Sequence, residues 1–111
     1  MAEEAIDIQH IANELFEALS REGIRPEKMI LYGSHARGEA TRWSDVDIVV
    51  VSDDLARWQP LVRLELLSRI AARIDAPLEL LGYTPQEIAD GGDRSIIWSE
   101  IKRHGRPLEA V

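Results

Sequence analysis

The feature that most constrains this chain is the segment 45–51, which reads Asp-Val-Asp-Ile-Val-Val-Val. Apart from the two aspartates, every residue in it is valine or isoleucine, and the run Ile48–Val51 has no polar side chain. β-Branched residues favour extended backbone, and a strand that lacks a polar face is normally covered on both sides. The segment therefore predicts a central strand that is buried on both faces of a sheet.

Helical and strand patterns alternate around this segment. Apolar residues at spacings of three and four predict an amphipathic helix over residues 4–21 and a longer one over Leu55–Ile74. In the longer helix Leu61 falls on the apolar stripe, whereas Arg63 belongs to a set of arginines mostly off it. Shorter patterns predict strands at Met29–Tyr32, Leu78–Tyr83 and Pro107–Glu109, and helices at Gln86–Ala89 and Ser95–His104. We therefore expect an α/β (α+β) fold with a mixed sheet flanked by helices.

Length and composition set the class of protein. The chain has 111 residues, of which 45% are hydrophobic, so residues 1–111 can form a single domain with one hydrophobic core. The absence of cysteine excludes disulfides, thiol catalysis and cysteine-ligated zinc. The three histidines lack the spacing of a metal site.

Charge and hydropathy bear on the partners of the chain. The formal net charge of −7 argues against sequence-independent nucleic-acid binding, which depends on lysine and arginine neutralising phosphates. The longest apolar run is only Ile48–Val51, and the N-terminal residues are acidic where a signal peptide is basic. We expect a cytoplasmic protein with no membrane segment and no direct nucleic-acid binding.

A glycine-serine turn follows the first predicted strand. Gly33 lets the backbone approach a ligand closely, and the Ser34 hydroxyl can donate a hydrogen bond to it. If residues 34–38 begin a helix, the free N–H groups of its first turn would form an anion site. The turn is distinct from a P-loop, which requires glycine and lysine followed by serine or threonine.

Two carboxylates stand at the start of the central strand. The two-residue period of a strand places Asp45 and Asp47 on one face, with Cβ atoms roughly 7 Å apart. Ionised carboxylates this close repel each other, and Mg²⁺ or Mn²⁺ commonly neutralises such oxygen-rich clusters. We therefore expect a third carboxylate on a neighbouring strand.

Glu79 is the best candidate for this third carboxylate. It is the only acidic residue in the predicted strand Leu78–Tyr83, and it could bind metal, act as a base, or do both. The alternative is structural, because a carboxylate on an edge strand often faces water or pairs with an arginine such as Arg69 or Arg73.

The turn and the carboxylates together carry a family resemblance. Gly33-Ser34, ten residues and then Asp45-Val46-Asp47 resembles the minimal nucleotidyltransferases (MNT) of the DNA polymerase beta-like superfamily. The resemblance extends over most of the chain and implies a sheet like the polymerase beta palm. It also implies that Asp45, Asp47 and Glu79 form the catalytic set and bind two Mg²⁺ ions.

The same resemblance implies how the nucleotide is held. Gly33 and Ser34 would bind the triphosphate of an NTP, and Arg37 resembles an arginine that approaches the phosphates. Two residues depart from the common pattern. His35 stands where many relatives have arginine, and Glu79 stands where many have aspartate.

The activity implied is metal-dependent transfer of a nucleoside monophosphate, with ATP the expected donor, to an acceptor hydroxyl. Small relatives are commonly antitoxins that adenylylate a tyrosine of a partner HEPN toxin, an RNA-cleaving protein. Two alternatives stay open at this point. The chain could be a non-catalytic antitoxin that neutralises its partner by binding, or it could nucleotidylate a small molecule such as an aminoglycoside.

Overall fold

The computed structural model describes residues 6–91 and 95–111. Its strands are β1 (Lys28–Tyr32), β2 (Val46–Val51), β3 (Leu78–Tyr83) and β4 (Arg106–Leu108). Its α-helices are α1 (Ile8–Arg21), α2 (Ser34–Arg37), α3 (Pro60–Ala72), α4 (Pro85–Ala89) and α5 (Ile96–His104). A 3₁₀ helix, Asp53–Arg57, connects β2 to the segment before α3.

The strands form one mixed sheet in the order β3-β2-β1-β4. β1 runs antiparallel to both β2 and β4, whereas β2 and β3 are parallel. β2 lies between two neighbours, and every residue in it except Asp47 is buried. This confirms both the central strand and the mixed α/β fold class predicted from the sequence.

The hydrophobic core lies on one face of this sheet. Alternate residues of β2 point into it, where they meet the apolar faces of α1 and α3. The core residues that are fully buried include Leu15, Leu19, Ile48, Leu67 and Ile70. On the other face α5 lies against the sheet, and its Trp98 ring packs edge-on against Tyr83 of β3 with the ring centroids 6.1 Å apart. The side chains of Tyr32, Asp47 and Glu79 project to this second face as well.

The first helix begins later than its periodicity predicts. Residues 4 and 5 of the predicted range lie outside the described residues, and α1 begins at Ile8. Asp7 is the N-cap, and its side chain accepts a hydrogen bond from the backbone N–H of His10. An N-cap has non-helical backbone, so a helix cannot extend backward through it.

The prediction of one helix over Leu55–Ile74 was wrong. Pro60 divides it, because proline restricts the residue before it to extended backbone and favours the first position of a new helix. Because a new helix, α3, begins at Pro60, its side chains face the core in a different pattern from the predicted one. Leu61, predicted on the apolar stripe, is 78% exposed, and Arg63, predicted mostly off it, is only 4% exposed.

The buried Arg63 side chain connects three elements. Its Nη1 and Nη2 atoms donate to the two carboxylate oxygens of Glu87 at 2.7 and 2.9 Å. They also donate to the backbone carbonyls of Gly82 and Trp58, each at 3.2 Å. Glu87 in turn forms a capping box with Thr84 at the start of α4. The pair therefore joins α3, the end of β3 and α4.

The C-terminal segment returns to the sheet and to α1. β4 covers Arg106–Leu108, one residue earlier than predicted, and pairs with β1. The Gln9 side chain of α1 donates to the Glu109 carbonyl at 2.6 Å, and the Asn13 side chain accepts from the Val111 N–H at 2.9 Å. In the part of the chain that the structure describes, no helix has the length and hydropathy to span a bilayer.

Candidate active site

Three polar residues form a row across one end of the sheet. Tyr32, the last residue of β1, lies opposite Asp47 of β2, and Asp47 lies opposite Glu79 of β3. Residues directly opposite each other in adjacent strands project to the same face of a sheet. The structure therefore brings Asp47 and Glu79 together, and the row shows that Tyr32 is part of the same site.

Gly33 lies next to this row and packs against the Asp47 side chain. Its backbone has φ +77° and ψ −157°, a combination that glycine adopts almost exclusively. A Cβ atom built on Gly33 would overlap the Asp47 carboxylate and lie 3.2 Å from its Cγ. The glycine is therefore required both by its backbone conformation and by the close approach of Asp47.

We predict that Gly33→Ala destabilises the fold by more than the roughly 1–2 kcal/mol that a positive φ costs a non-glycine residue. The matched control is Gly38→Ala, because Gly38 also has a positive φ, +75°, but a Cβ there has nothing within 4 Å. Urea denaturation of both variants measures the difference. The excess cost at Gly33 should shrink in an Asp47→Ala background, and an equal cost in both backgrounds would show that the carboxylate is not the obstacle.

The predicted helix after the glycine is a single short turn, α2. Gly33 is its N-cap, and the Gly33 carbonyl accepts hydrogen bonds from Ala36 and Arg37. The backbone N–H groups of Ser34 and His35 belong to the first turn, where an α-helix has no acceptor of its own for them. Gly33 and Ser34 thus lie beside the carboxylate row, with backbone donors next to them.

The electrostatics of the row centre on Asp47. Burial raises the pKa of its carboxyl to about 6, reinforced by the hydrogen bond that the protonated carboxyl can donate to Glu79 and by the negative charges of Glu79 and Asp45. Within the part of the chain that the structure describes, the positive charge of Arg37 works in the opposite direction and lowers this pKa. Asp47 is thus a half-buried carboxylate that lacks enough positive charge around it, which is the environment that a divalent cation relieves.

Asp45 and Glu79 are both more exposed than Asp47. Asp45 stands one residue before β2, close enough for its charge to raise the pKa of Asp47. Within residues 6–91 and 95–111, no three acidic or histidine side chains already converge on a point that could hold a metal ion. The oxygen-only donor set of Asp45, Asp47 and Glu79 nevertheless has the chemistry that Mg²⁺ prefers.

The structural alternatives for Glu79 were that it simply faces water, which its exposure allows, or that it pairs with an arginine such as Arg69 or Arg73. Arg73 instead pairs with Glu22, with an N–O distance of 3.0 Å, and Arg69 is an exposed residue of α3. Neither arginine forms an ion pair with Glu79 among the described residues. Glu79 therefore has Asp47 as its neighbour and is open to solvent on its other side.

Tyr32 is a site residue that sequence reasoning missed. Burial, followed by the charges of Asp47 and Glu79, raises the pKa of its phenol, which therefore stays protonated. Tyr32 also lines an open cleft of about 680 Å³ together with Asp45, Glu79 and the apolar side chains of Leu64 and Ile97. Its position directly before Gly33, at the end of a strand, was the only signal in the sequence.

Arg37 ends α2 and is held by two carboxylates. Its Nε donates to Glu39 at 2.7 Å, and its Nη1 contacts a carboxylate oxygen of Glu100 in α5. Glu100 was also missed by sequence reasoning, because it lies 63 residues from Arg37 along the chain. The positive charge of Arg37 still reaches Asp47, whose pKa it lowers.

The mixed sheet with its flanking helices is the fold of the polymerase beta-like nucleotidyltransferases. The chain belongs to the nucleotidyltransferase domain family, which its sequence matches over residues 12–103. None of the curated proteins compared with this chain matches it.

Solved structures support the same fold. A toxin-antitoxin crystallised with AMP-PNP is 23% identical, with a TM-score of 0.62 over 90% of this chain and 73% of the other. A complex of a tri-AMPylated HEPN toxin from Shewanella oneidensis with its MNT antitoxin contains a chain 20% identical to this one. Its TM-score is 0.54 over 93% of this chain and 73% of the other.

Proposed function

We propose that this nucleotidyltransferase domain transfers AMP from ATP to a hydroxyl of a partner HEPN protein, with a tyrosine as the acceptor, and so acts as its antitoxin. The observation that carries the proposal is the contact of Asp47 with both Glu79 and Gly33 at one end of the sheet. Asp47 and Glu79 have too little positive charge around them, and a turn with free backbone N–H groups lies beside them. This arrangement can bind a divalent cation together with the triphosphate of a nucleotide. The similar chains found with AMP-PNP and with an AMPylated HEPN toxin support this donor and this partner.

We assign the metal to Asp45, Asp47 and Glu79, as two Mg²⁺ ions or Mn²⁺ in their place. When bound, the metal neutralises phosphate charge, helps to ionise the attacking hydroxyl and stabilises the departing pyrophosphate. Among the carboxylates, Asp47 is the most constrained, because Gly33 and Glu79 hold it from two sides. Asp45 and Glu79 are exposed and can adjust to the ligand.

The remaining proposed residues hold the nucleotide. Gly33 and Ser34 contribute the turn and its backbone donors, and Arg37 contributes a positive charge to the phosphates. The acceptor oxygen forms a bond to the α-phosphorus while the bond to pyrophosphate breaks, and the acceptor proton leaves as the new bond forms. Glu79 is exposed on the cleft side and is positioned to accept that proton.

The open cleft beside the carboxylates favours a macromolecular acceptor. One wall is apolar, with Leu64 and Ile97 exposed, and its end is acidic, with Asp45 and Glu79. A tyrosine has a matching shape, an apolar ring with a hydroxyl at its tip. A polycationic aminoglycoside would leave the apolar wall uncovered.

The proposal is tested by incubating the purified protein with labelled ATP, Mg²⁺ and the product of the neighbouring gene, which we expect to be a HEPN protein. We expect label on a tyrosine of the partner and loss of its RNA-cleaving activity. Asp45→Asn and Asp47→Asn should each lower the rate by more than the roughly 10–100-fold that loss of an outer-shell contact to a metal costs. A partner that gains no label and is still inhibited by both variants would show that the chain acts by binding alone.

A further inference from the structure

The two carboxylates that hold Arg37 differ in how firmly they are themselves held. Glu39 follows Arg37 by two residues, and 65% of its side chain is exposed. Glu100 belongs to α5, and only 28% of its side chain is exposed. An exposed partner in the same loop can move with Arg37, whereas a partner on another element fixes Arg37 relative to the rest of the fold.

Helix α5 is well anchored on the sheet at this point. Ile101, the residue after Glu100, is buried, and Trp98 packs against Tyr83 of β3. At the end of the helix Gly105 lies so close to Ile30 of β1 that a Cβ there would come within 2.9 Å of the Ile30 side chain. Glu100 is therefore presented from a helix whose position relative to the sheet is fixed by packing.

The pairing leaves most of the guanidinium available. Arginine carries five N–H donors in a planar fork. The single N–H of Nε donates to Glu39, and one of the two N–H groups of Nη1 donates to Glu100. Nη2 donates no hydrogen bond to any residue in 6–91 or 95–111. Three N–H groups thus remain for an incoming anion. The guanidinium is therefore fixed in position and can still donate hydrogen bonds to a ligand.

We propose that Glu100 is a positioning residue, which holds Arg37 in the orientation that binds the phosphates of the nucleotide. The inference rests on the proposed function and assigns to α5 a part in nucleotide binding. Without Glu100 the long arginine side chain keeps its rotamer freedom and must lose it when the nucleotide binds. The effect belongs to nucleotide binding rather than to the fold.

The test is a double-mutant cycle between Arg37 and Glu100, measured with the full chain, its HEPN partner, ATP and Mg²⁺. We expect Glu100→Ala to raise the KM for ATP by about tenfold or more, since small misplacements of positioning groups have effects of up to about a hundredfold. It should change kcat less, and Glu100→Gln should retain part of the effect. In an Arg37→Ala background, Glu100→Ala should have no further effect on KM.

Arg103→Ala, at an exposed charged position of the same helix, controls for general perturbation of α5 and should leave the KM unchanged. Binding of a non-hydrolysable ATP analogue with Mg²⁺ is measured in parallel. If Glu100→Ala raised the KM for ATP equally in the wild-type and Arg37→Ala backgrounds, the positioning role would be refuted. It would also be refuted if Glu100→Ala left the KM unchanged in a protein that is otherwise active. Either result would leave the proposed function intact. A wild type that neither binds the analogue nor transfers AMP would refute the proposed function and the positioning role with it.

Discussion

Replacing Asp47 by asparagine should abolish AMP transfer and, in the absence of metal, make the protein more stable at neutral pH. The two effects have one cause. Asp47 is a half-buried carboxylate beside Glu79 and Asp45, so its negative charge is unfavourable until a cation binds. Asparagine has nearly the same shape but carries no charge.

The pH dependence follows from the direction of the pKa shift. The folded-state pKa of Asp47, about 6, is above its usual value of 3.8, so the folded protein binds this proton more tightly than the unfolded chain. Stability therefore decreases as the pH rises from about 4 to about 6, and the penalty is fully present above that. Because the side chain is partly exposed, solvent screening reduces the penalty to about 1 kcal/mol.

The measurement is urea denaturation of wild type and Asp47→Asn at pH 4 and pH 8, with EDTA present. The variant should be more stable than wild type at pH 8 and no more stable at pH 4. Asp75→Asn, which removes an exposed carboxylate, is the matched control and should have little effect. Mg²⁺ with an ATP analogue should raise the melting temperature of wild type but not of Asp47→Asn, and equal increases would contradict the metal assignment.

Replacing Glu87 by glutamine should destabilise the protein by about 2 kcal/mol, because the buried Arg63 loses its charged partner while the Glu87 side chain itself is 39% exposed. Arg63 is 4% exposed and has Glu87 as its bidentate partner. Glutamine at this position can still complete the capping box with Thr84, so the variant isolates the loss of charge.

The hydrogen bonds to Arg63 hold the pKa of Glu87 below its usual value. The stabilisation from this pair is therefore present at neutral pH and decreases as the pH falls toward the folded-state pKa of Glu87. Glu65→Gln, at an exposed position of α3, is the control and should change the free energy of unfolding by less than about 0.5 kcal/mol. The double variant Arg63→Met/Glu87→Gln keeps the capping box, removes the buried charge and should recover part of the loss, and a Glu87→Gln variant as stable as wild type would show that the pair is not stabilising.

Much of the architecture could be predicted from local patterns. The β-branched run before Ser52 predicted the central strand, and the strand Leu78–Tyr83 was predicted with its observed bounds. The turn at Gly33 could be recognised because its backbone conformation is one that other residues rarely adopt. The prediction of one long helix was wrong at Pro60, because the apolar periodicity continues across this position whereas the helical backbone is interrupted there.

Local sequence therefore predicted most of the strands and helices, and it identified the carboxylates and the glycine-serine turn as candidate site residues, because these depend on side-chain type and short spacing. The neighbours of those residues were decided by the tertiary structure. Parallel pairing of β2 with β3 places Glu79 opposite Asp47, and packing of α5 brings Glu100 to Arg37 across 63 residues. Contacts between segments distant along the chain depend on strand register and helix packing, which no local pattern encodes.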